Sequence, residues 1–184
     1  MKKLIVTTTD DKFAPGCAVL LYSLQKNMKD FHECDVKIFY TSLSQSNKDM
    51  IKSVCPKVTI QEPEDFDYCK GIKTLYGEDN QDTYLCLESF KQSEYDRVAY
   101  IDTDILCISD ISYIFSDKLD YGMMACAGTK ALNEREKYHP HGFSKFNAGF
   151  MVIGKENLAK NRTYNKLINI VKEASTTKSN DEYK

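Results

Sequence analysis

Two carboxylates separated by one residue follow a strongly apolar segment. Asp102 and Asp104 come directly after residues 97–101, and the chain becomes apolar again over residues 105–108. Carboxylates at the edge of a buried strand are costly unless a cation or a strong donor compensates their charge. Oxygen ligands suit Mg²⁺ or Mn²⁺ better than zinc, which draws on thiolates and imidazoles. The spacing therefore predicts a divalent metal that carries a negatively charged ligand such as a diphosphate, which makes the chain a candidate enzyme.

The geometry expected for this pair depends on the local backbone. In an extended segment alternate side chains point to the same face, so Asp102 and Asp104 would reach one metal while Thr103 points away. The alternative is a simple turn or helix cap after the strand, because aspartate favours turns for reasons of its own. The spacing alone leaves both interpretations open.

Length, charge and cysteine usage limit the classes of function. The chain has 184 residues, the size of one domain with a substantial core. Its 25 basic and 27 acidic side chains give a formal net charge of −2, which argues against a nucleic-acid partner. The seven cysteines form no C-x-x-C pair, which favours a reducing compartment over a disulfide framework or a zinc site. Residues 4–6 are too short an apolar run for a signal peptide or a membrane span, so we expect a cytoplasmic protein.

Short apolar runs alternate with helical patterns, which is typical of an α/β protein with a mainly parallel sheet. The predicted strands cover residues 4–8, 36–40, 58–61, 97–101, 121–127 and 149–153. The predicted helices cover residues 14–27, 46–54, 83–93, 111–115 and 163–174. This order indicates a β-α-β-α-β half of the nucleotide-binding type over residues 1–61.

The rest of the chain is predicted to complete a single domain over residues 1–184. Residues 62–82 are acidic, contain two glycines and show no clear period, which predicts a loop or lid. Residues 83–184 would then form the metal and sugar half, with a loop over 128–145 and a frayed terminus after residue 174.

Three segments taken together resemble glycosyltransferase family 8, which includes glycogenin and galactinol synthase. They are residues 6–16 (VTTTDDKFAPG), 94–106 (EYDRVAYIDTDIL) and 146–153 (FNAGFMVI). The resemblance implies a GT-A fold, with a Rossmann-like, mainly parallel central sheet flanked by helices. It also implies a UDP-sugar donor, most simply UDP-glucose or UDP-galactose, Mn²⁺ or Mg²⁺ as cofactor, and transfer with retention of anomeric configuration. The acceptor (saccharide, lipid-linked or protein) and a homodimer stay open.

The resemblance also assigns roles to residues of the first two segments. Thr9 and Asp10 would hold the uridine, and Phe13 would stack on the base or form a wall beside it. Asp102 and Asp104 would bind the metal that bridges the diphosphate. The full set of cofactor-binding residues implied in these segments is Thr7, Thr9, Asp10, Phe13, Asp102, Thr103 and Asp104.

The third segment and the C-terminus are implied to act on the sugar. Asn147 and Ala148 would touch the donor sugar, and Gly149 would give the backbone room to approach it. Asp181 stands where the family has a polar pair near the anomeric carbon, so Asp181 and Asn147 are the candidate catalytic residues. A carboxylate or amide oxygen there would stabilise an oxocarbenium-like centre.

Three features depart from the family pattern. Cys86 stands where the family usually has a basic residue that contacts the donor, and Lys73 or Lys91 is a candidate replacement. Phe13 replaces the usual tyrosine, which keeps the ring face and loses the hydroxyl. The family's later histidine ligand has no counterpart, since His139 and His141 lie upstream of the third segment. We therefore expect a shortened or minimal version of the fold without the C-terminal histidine motif.

Two other function classes compete with a glycosyltransferase. Haloacid-dehalogenase-like phosphatases also place Asp-x-Asp after an apolar strand, but their pair normally follows the first strand, whereas here three predicted strands precede the strand that ends at Asp102. A non-catalytic nucleotide-sugar binding module is the other alternative, suggested by Cys86 and by the missing histidine. An impaired enzyme belongs to the same alternative.

Overall fold

The computed structural model of the chain describes residues 1–69, 78–118, 122–127 and 146–177. The strands in those ranges are β1 (Lys3–Thr8), β2 (Cys34–Phe39), β3 (Thr59–Gln61), β4 (Arg97–Ile101), β5 (Met123–Ala127) and β6 (Phe146–Gly154). The α-helices are α1 (Ala14–Asn27), α2 (Gln45–Val54), α3 (Lys155–Leu158) and α4 (Arg162–Thr177). The 3₁₀ helices are Phe31–Glu33, Asp67–Cys69, Glu78–Lys91, Ser112–Phe115 and Ala159–Asn161.

The described strands form one six-stranded sheet with the order β3-β2-β1-β4-β6-β5. Strands β1 to β4 run parallel to one another, whereas β6 is antiparallel to both β4 and β5. The predicted α/β fold with a mainly parallel sheet is confirmed. Because parallel strands end at a common edge, the polar residues that follow β1 and β4 come together there.

Both faces of the sheet are buried, which explains why its strands are nearly continuous apolar runs. Ile5 of β1 packs with residues of α1 and α2 on one face. Its neighbours Leu4 and Val6 pack on the other face, in a cluster with residues of the long 3₁₀ helix Glu78–Lys91 and of α4. Because side chains alternate along β1, a helical layer packs on each face of the sheet.

The observed helix boundaries agree with those predicted from the sequence where the apolar residues recur at regular helical spacing. Helix α1 occupies the predicted residues 14–27, and Pro15 lies in its first turn, where its missing N–H costs nothing. The helix predicted over 83–93 is instead the 3₁₀ helix Glu78–Lys91, so part of the predicted lid is helical. Residues 175–177 belong to α4 and are not frayed coil. The remainder of the lid (70–77) and the loop 128–145 lie outside the described residues.

Membrane topology and thiol state were also predicted from the sequence. Among the helices that the structure describes, none has the length and apolarity needed to cross a bilayer. Six of the seven cysteines are recorded as free thiols, and four of these six are buried: Cys17, Cys34, Cys55 and Cys107. The cytoplasmic location stays a prediction.

Candidate functional site

An open cleft of about 970 Å³ lies at the sheet edge where β1 and β4 end. Its size falls in the range of small-molecule sites. The described residues that line it are Thr8, Thr9, Asp10, Phe13, Asp82, Thr83, Leu85, Cys86, Tyr100, Asp102, Thr103, Asp104, Asn147, Ala148 and Gly149. The lining brings together nine of the residues predicted for the site, although they come from three distant parts of the chain.

The loop after β1 forms one wall of the cleft. The Thr9 N–H donates to the Phe39 carbonyl at 3.1 Å, which carries the β1–β2 pairing one residue further. Asp10 Oδ1 accepts the backbone N–H of Phe13 at 2.8 Å, so this carboxylate also organises the start of α1. Phe13 as a residue is 48% exposed, and it lines the cleft with an apolar side chain.

Asp11 ties this loop to α2. Its Oδ1 accepts the Ser44 backbone N–H and the Asn47 side-chain amide, both at 2.7 Å. The hydrogen bonds from Ser44 and Asn47 lower the pKa of Asp11, so the carboxylate stays ionised at neutral pH. The start of a second helix therefore supports the loop that carries Asp10 and Phe13.

Two residues predicted for the site are not among the cleft lining. Thr7 is completely buried and shares its face of β1 with Ile5, the face that packs against α1. The structure therefore places Thr7 behind the cleft wall. Asp181 lies outside the described residues.

The Asp-Thr-Asp segment is a turn and does not continue β4. The Asp102 N–H donates to the Gly149 carbonyl at 2.8 Å, and the Ile105 N–H donates back to the Asp102 carbonyl at 3.2 Å. Of the two interpretations that the sequence left open, the turn is the one observed and the extended geometry is wrong, because the chain turns directly after the Asp102 bond to Gly149. Thr103 lines the cleft together with Asp102 and Asp104.

Tyr100 is a site residue that the sequence analysis missed. Its hydroxyl lies 2.6 Å from Asp102 Oδ1 and 3.1 Å from Thr8 Oγ1. Burial raises the pKa of Asp102 and the nearby charge of Asp104 raises it further, while the hydrogen bond from Tyr100 opposes the shift. The alternation of side chains along a strand could have predicted this role, because it puts Tyr100 on the same face as residue 102.

A β-bulge in β6 brings the third segment to the cleft. The pairing of β5 with β6 shifts after Ala125, so residues 148–150 have no partner on β5 within the described strands. Asn147 Oδ1 accepts the Gly149 N–H at 2.7 Å and closes the bulge. A Cβ on Gly149 would stand 2.5 Å from Asp102 Oδ2, so only glycine leaves that carboxylate in place.

The long 3₁₀ helix Glu78–Lys91 forms another wall of the cleft, through Asp82, Thr83, Leu85 and Cys86. Asp82 Oδ2 accepts the hydroxyl of Thr41 at 2.7 Å, which links this helix to the loop after β2. Asp82 was not predicted as a site residue. Burial, followed by the negative charge of Asp102, raises the pKa of Cys86 to about 12, so its thiol is protonated at neutral pH.

The described lining of the cleft is acidic. It contains no lysine, arginine or histidine among the residues that the structure describes. Lys91, a suggested replacement for the basic residue at the position of Cys86, pairs instead with Glu64 at 2.6 Å, outside the lining. Lys73 lies in a range that is not described. The four lining carboxylates are Asp10, Asp82, Asp102 and Asp104.

The donor set fits a hard divalent cation that is shared with a phosphate ligand. Within the described ranges no group of three or more His, Cys, Asp or Glu side chains could hold a metal. Mg²⁺ and similar ions are commonly bound by one or two carboxylates plus substrate phosphates and water. Asp102 and Asp104 can supply such a pair, whereas His139 and His141 lie outside the described residues.

The chain is similar to glycosyltransferases both in a family model and in a curated relative. The model of the family described as "Glycosyl transferase family 8" matches residues 4–182. A Haemophilus influenzae protein named "Putative glycosyltransferase" is 26% identical over 184 residues, covering 90% of this chain and 52% of that protein. The chain therefore spans about half the length of this curated relative.

Solved structures with the same architecture are GT-A glycosyltransferases. Galactosyltransferase LgtC, in complex with donor and acceptor sugar analogs, superposes with a TM-score of 0.66 at 18% identity, covering 95% of this chain and 69% of LgtC. Core-mannan synthase A from Aspergillus fumigatus, in its Mn/GDP form, gives a TM-score of 0.65 at 7% identity, with coverages of 95% and 65%. At these identities the likeness establishes the GT-A fold. Since the family model matches almost the whole length of a chain with that fold, the chain belongs to glycosyl transferase family 8.

Proposed function

We propose that this chain transfers a hexose from a UDP-sugar, most simply UDP-glucose or UDP-galactose, to an acceptor, with retention of configuration and with Mn²⁺ or Mg²⁺ as cofactor. One observation carries the proposal: the cleft offers four carboxylates and, within its described lining, no basic side chain. A diphosphate is itself anionic, so it can enter such a cleft only with a cation that neutralises both partners.

Asp102 and Asp104 would hold the cation. When bound, a divalent metal acts as a Lewis acid that stabilises the negative charge left on the departing diphosphate. The protein prepares for it by fixing the Asp102 backbone on Gly149 and one carboxylate oxygen on Tyr100. The turn that follows brings Asp104 to the same cleft.

The remaining walls suit the other parts of a nucleotide sugar. The exposed ring of Phe13 provides a stacking face for a base, and Thr9 and Asp10 lie beside it. Asn147 also lines the cleft and accepts the Gly149 N–H with its carbonyl oxygen, which leaves its amide NH₂ as a donor for a sugar hydroxyl. We keep Asn147 and Asp181 as the proposed catalytic or sugar-orienting residues.

A nucleotide-sugar binding module is the second candidate function. Cys86 favours it, because a protonated thiol lines the cleft where the family usually has a basic donor contact. Turnover separates the two functions, since a module binds the UDP-sugar without transferring or hydrolysing it. The phosphatase alternative is not favoured, because Asp102 follows the fourth strand of a GT-A sheet.

Calorimetric titration tests the metal and the nucleotide together. We expect UDP to bind in the presence of Mn²⁺ and not in EDTA, and GDP to bind more weakly than UDP. Asp104→Asn should abolish the metal-dependent binding, whereas Asp117→Asn, an exposed residue outside the described lining, should not change it. Binding of UDP that is equal with and without Mn²⁺ would contradict the proposal.

A screen of UDP-sugars then tests the reaction. Hydrolysis of UDP-glucose or UDP-galactose that depends on Mn²⁺ and releases the α-anomer first is the expected result for a retaining enzyme. Metal-dependent UDP-sugar binding without transfer or hydrolysis would favour the binding module.

A further inference from the structure

A chain of hydroxyl groups ends on one oxygen of Asp102. Tyr100 is only 3% exposed, and its hydroxyl contacts both Asp102 Oδ1 and Thr8 Oγ1. A phenol has one proton, and an ionised carboxylate can only accept. Tyr100 therefore donates to Asp102 at 2.6 Å and accepts from the hydroxyl of Thr8 at 3.1 Å. Such chains strengthen each bond through mutual polarisation.

This arrangement leaves the two carboxylate oxygens of Asp102 in different situations. The backbone N–H of Asp102 is held by the Gly149 carbonyl, and Oδ1 is held by Tyr100. Oδ2 stands on the side where Gly149 has no side chain, and no described residue donates a hydrogen bond to it. The rotation of the carboxylate is thus set by the protein before any ligand binds.

We propose that Tyr100 is a positioning residue for the metal site: it occupies Oδ1 of Asp102, with support from Thr8, so that Oδ2 is presented to the cation. The inference rests on the proposed function, and it adds a residue that acts through Asp102 without touching the metal. Hydrogen-bond partners of metal ligands typically change metal affinity by about 10–100-fold when they are removed.

Tyr100→Phe tests this role with little other change. The ring keeps its packing in the apolar cluster beside the long 3₁₀ helix, and only the hydroxyl is lost. The measurement is the Mn²⁺ dissociation constant in the presence of UDP, from the electron paramagnetic resonance signal of free Mn²⁺. We expect about 10-fold weaker Mn²⁺ binding in the variant.

Tyr95→Phe is the matched control. Tyr95 is also buried, and its hydroxyl also lies on a carboxylate, 2.9 Å from Asp35 Oδ2, but neither residue lines the cleft. Its loss should lower the melting temperature to a similar degree and leave the Mn²⁺ dissociation constant unchanged. Equal weakening in both phenylalanine variants would overturn the inference, because it would show a general effect on the fold.

Thr8→Val provides a second, independent variant should Tyr100→Phe fail to fold. We expect weaker Mn²⁺ binding in Thr8→Val than in the wild type. Where Tyr100→Phe folds, the double variant should show no additional loss, since both changes act through the bond from Tyr100 to Asp102. Wild-type affinity in Tyr100→Phe, or in Thr8→Val where the former does not fold, refutes the positioning role alone. A wild-type protein that fails to bind Mn²⁺ with UDP would instead refute the proposed function.

Discussion

A single hydrogen atom in place of a side chain decides whether Asp102 keeps its position. The virtual Cβ of Gly149 lies 2.5 Å from Asp102 Oδ2 and 2.9 Å from Asn147 Oδ1, closer than real Cβ atoms approach oxygen. Asn147 could move toward solvent, because it is exposed. Asp102 is held by its backbone and by Tyr100, so a side chain at position 149 would have to displace a constrained carboxylate.

We predict that Gly149→Ala weakens Mn²⁺-dependent UDP binding by at least about 10-fold, the scale of effects seen when metal ligands are misplaced. The control is Gly122→Ala, where the new Cβ would also meet a carboxylate, that of Glu156, but outside the described cleft lining. Calorimetry on both variants measures the difference. Unchanged UDP affinity in Gly149→Ala would show that Asp102 tolerates displacement.

At the scale of elements, one buried carboxylate joins three helices. Glu88 of the long 3₁₀ helix is 1% exposed and accepts hydrogen bonds from Tyr68, at 3.4 Å, and from Tyr164 of α4, at 3.0 Å. Burial raises the pKa of Glu88, although both tyrosines and Lys91 act in the opposite direction. The 3₁₀ helix that lines the cleft is therefore held to its neighbours by Glu88, whose charged form burial disfavours.

The raised pKa of Glu88 makes the stability of the protein depend on pH. Because the native state holds the Glu88 proton more tightly than the unfolded chain, its stabilising contribution is complete below the ordinary pKa near 4.5 and is lost as the pH rises through the native pKa. Glu88→Gln has no proton to lose. We expect its melting temperature to rise relative to the wild type by about 2–4 °C, equivalent to about 1 kcal/mol, between pH 4.5 and pH 8.

Thermal melts across that range test the expectation. Glu62→Gln, at an exposed position, serves as the control and should follow the wild type at every pH. A constant gap between Glu88→Gln and the wild type would mean that Glu88 does not titrate differently in the native and unfolded states.

The sequence predicted those elements whose apolar spacing is regular. Helix α1 matched residue for residue because Pro15 sets its start and its apolar positions recur every three or four residues. The 3₁₀ helix Glu78–Lys91 was anticipated only from residue 83 onward, because residues 78–82 are polar and carry no apolar period. For residues 102–104 the sequence left a turn and an extended segment open, because aspartate favours turns whatever its function.

At the scale of the whole molecule, the site is assembled from contacts that sequence spacing does not contain. Thr8 and Tyr100 are 92 positions apart and meet because β1 and β4 are neighbours in the sheet. The family resemblance assigned site roles to residues of three segments, but it gave no role to Tyr100 or Asp82. Their importance appears only when the strand order is known.

Ligand binding should stabilise the entire fold. A ligand at 100 times its dissociation constant adds about 2.7 kcal/mol to the free energy of unfolding. For a chain of this size that corresponds to a rise in melting temperature of about 5–10 °C. We predict this rise for UDP with Mn²⁺, and no rise for UDP in EDTA, as measured by differential scanning fluorimetry. A shift of equal size in EDTA would contradict the metal dependence of nucleotide binding.

Substitutions in the β6 bulge would affect few strand-pairing contacts. Within the described strands, residues 148–150 lack partners on β5, while the β4–β6 ladder runs from Phe150 to Gly154. Ala148, which is exposed at the lip, can therefore be exchanged without disturbing the pairing that shapes the scaffold. On the proposed function, substitutions at this lip would change the contacts to the donor sugar while the β4–β6 pairing stays as it is.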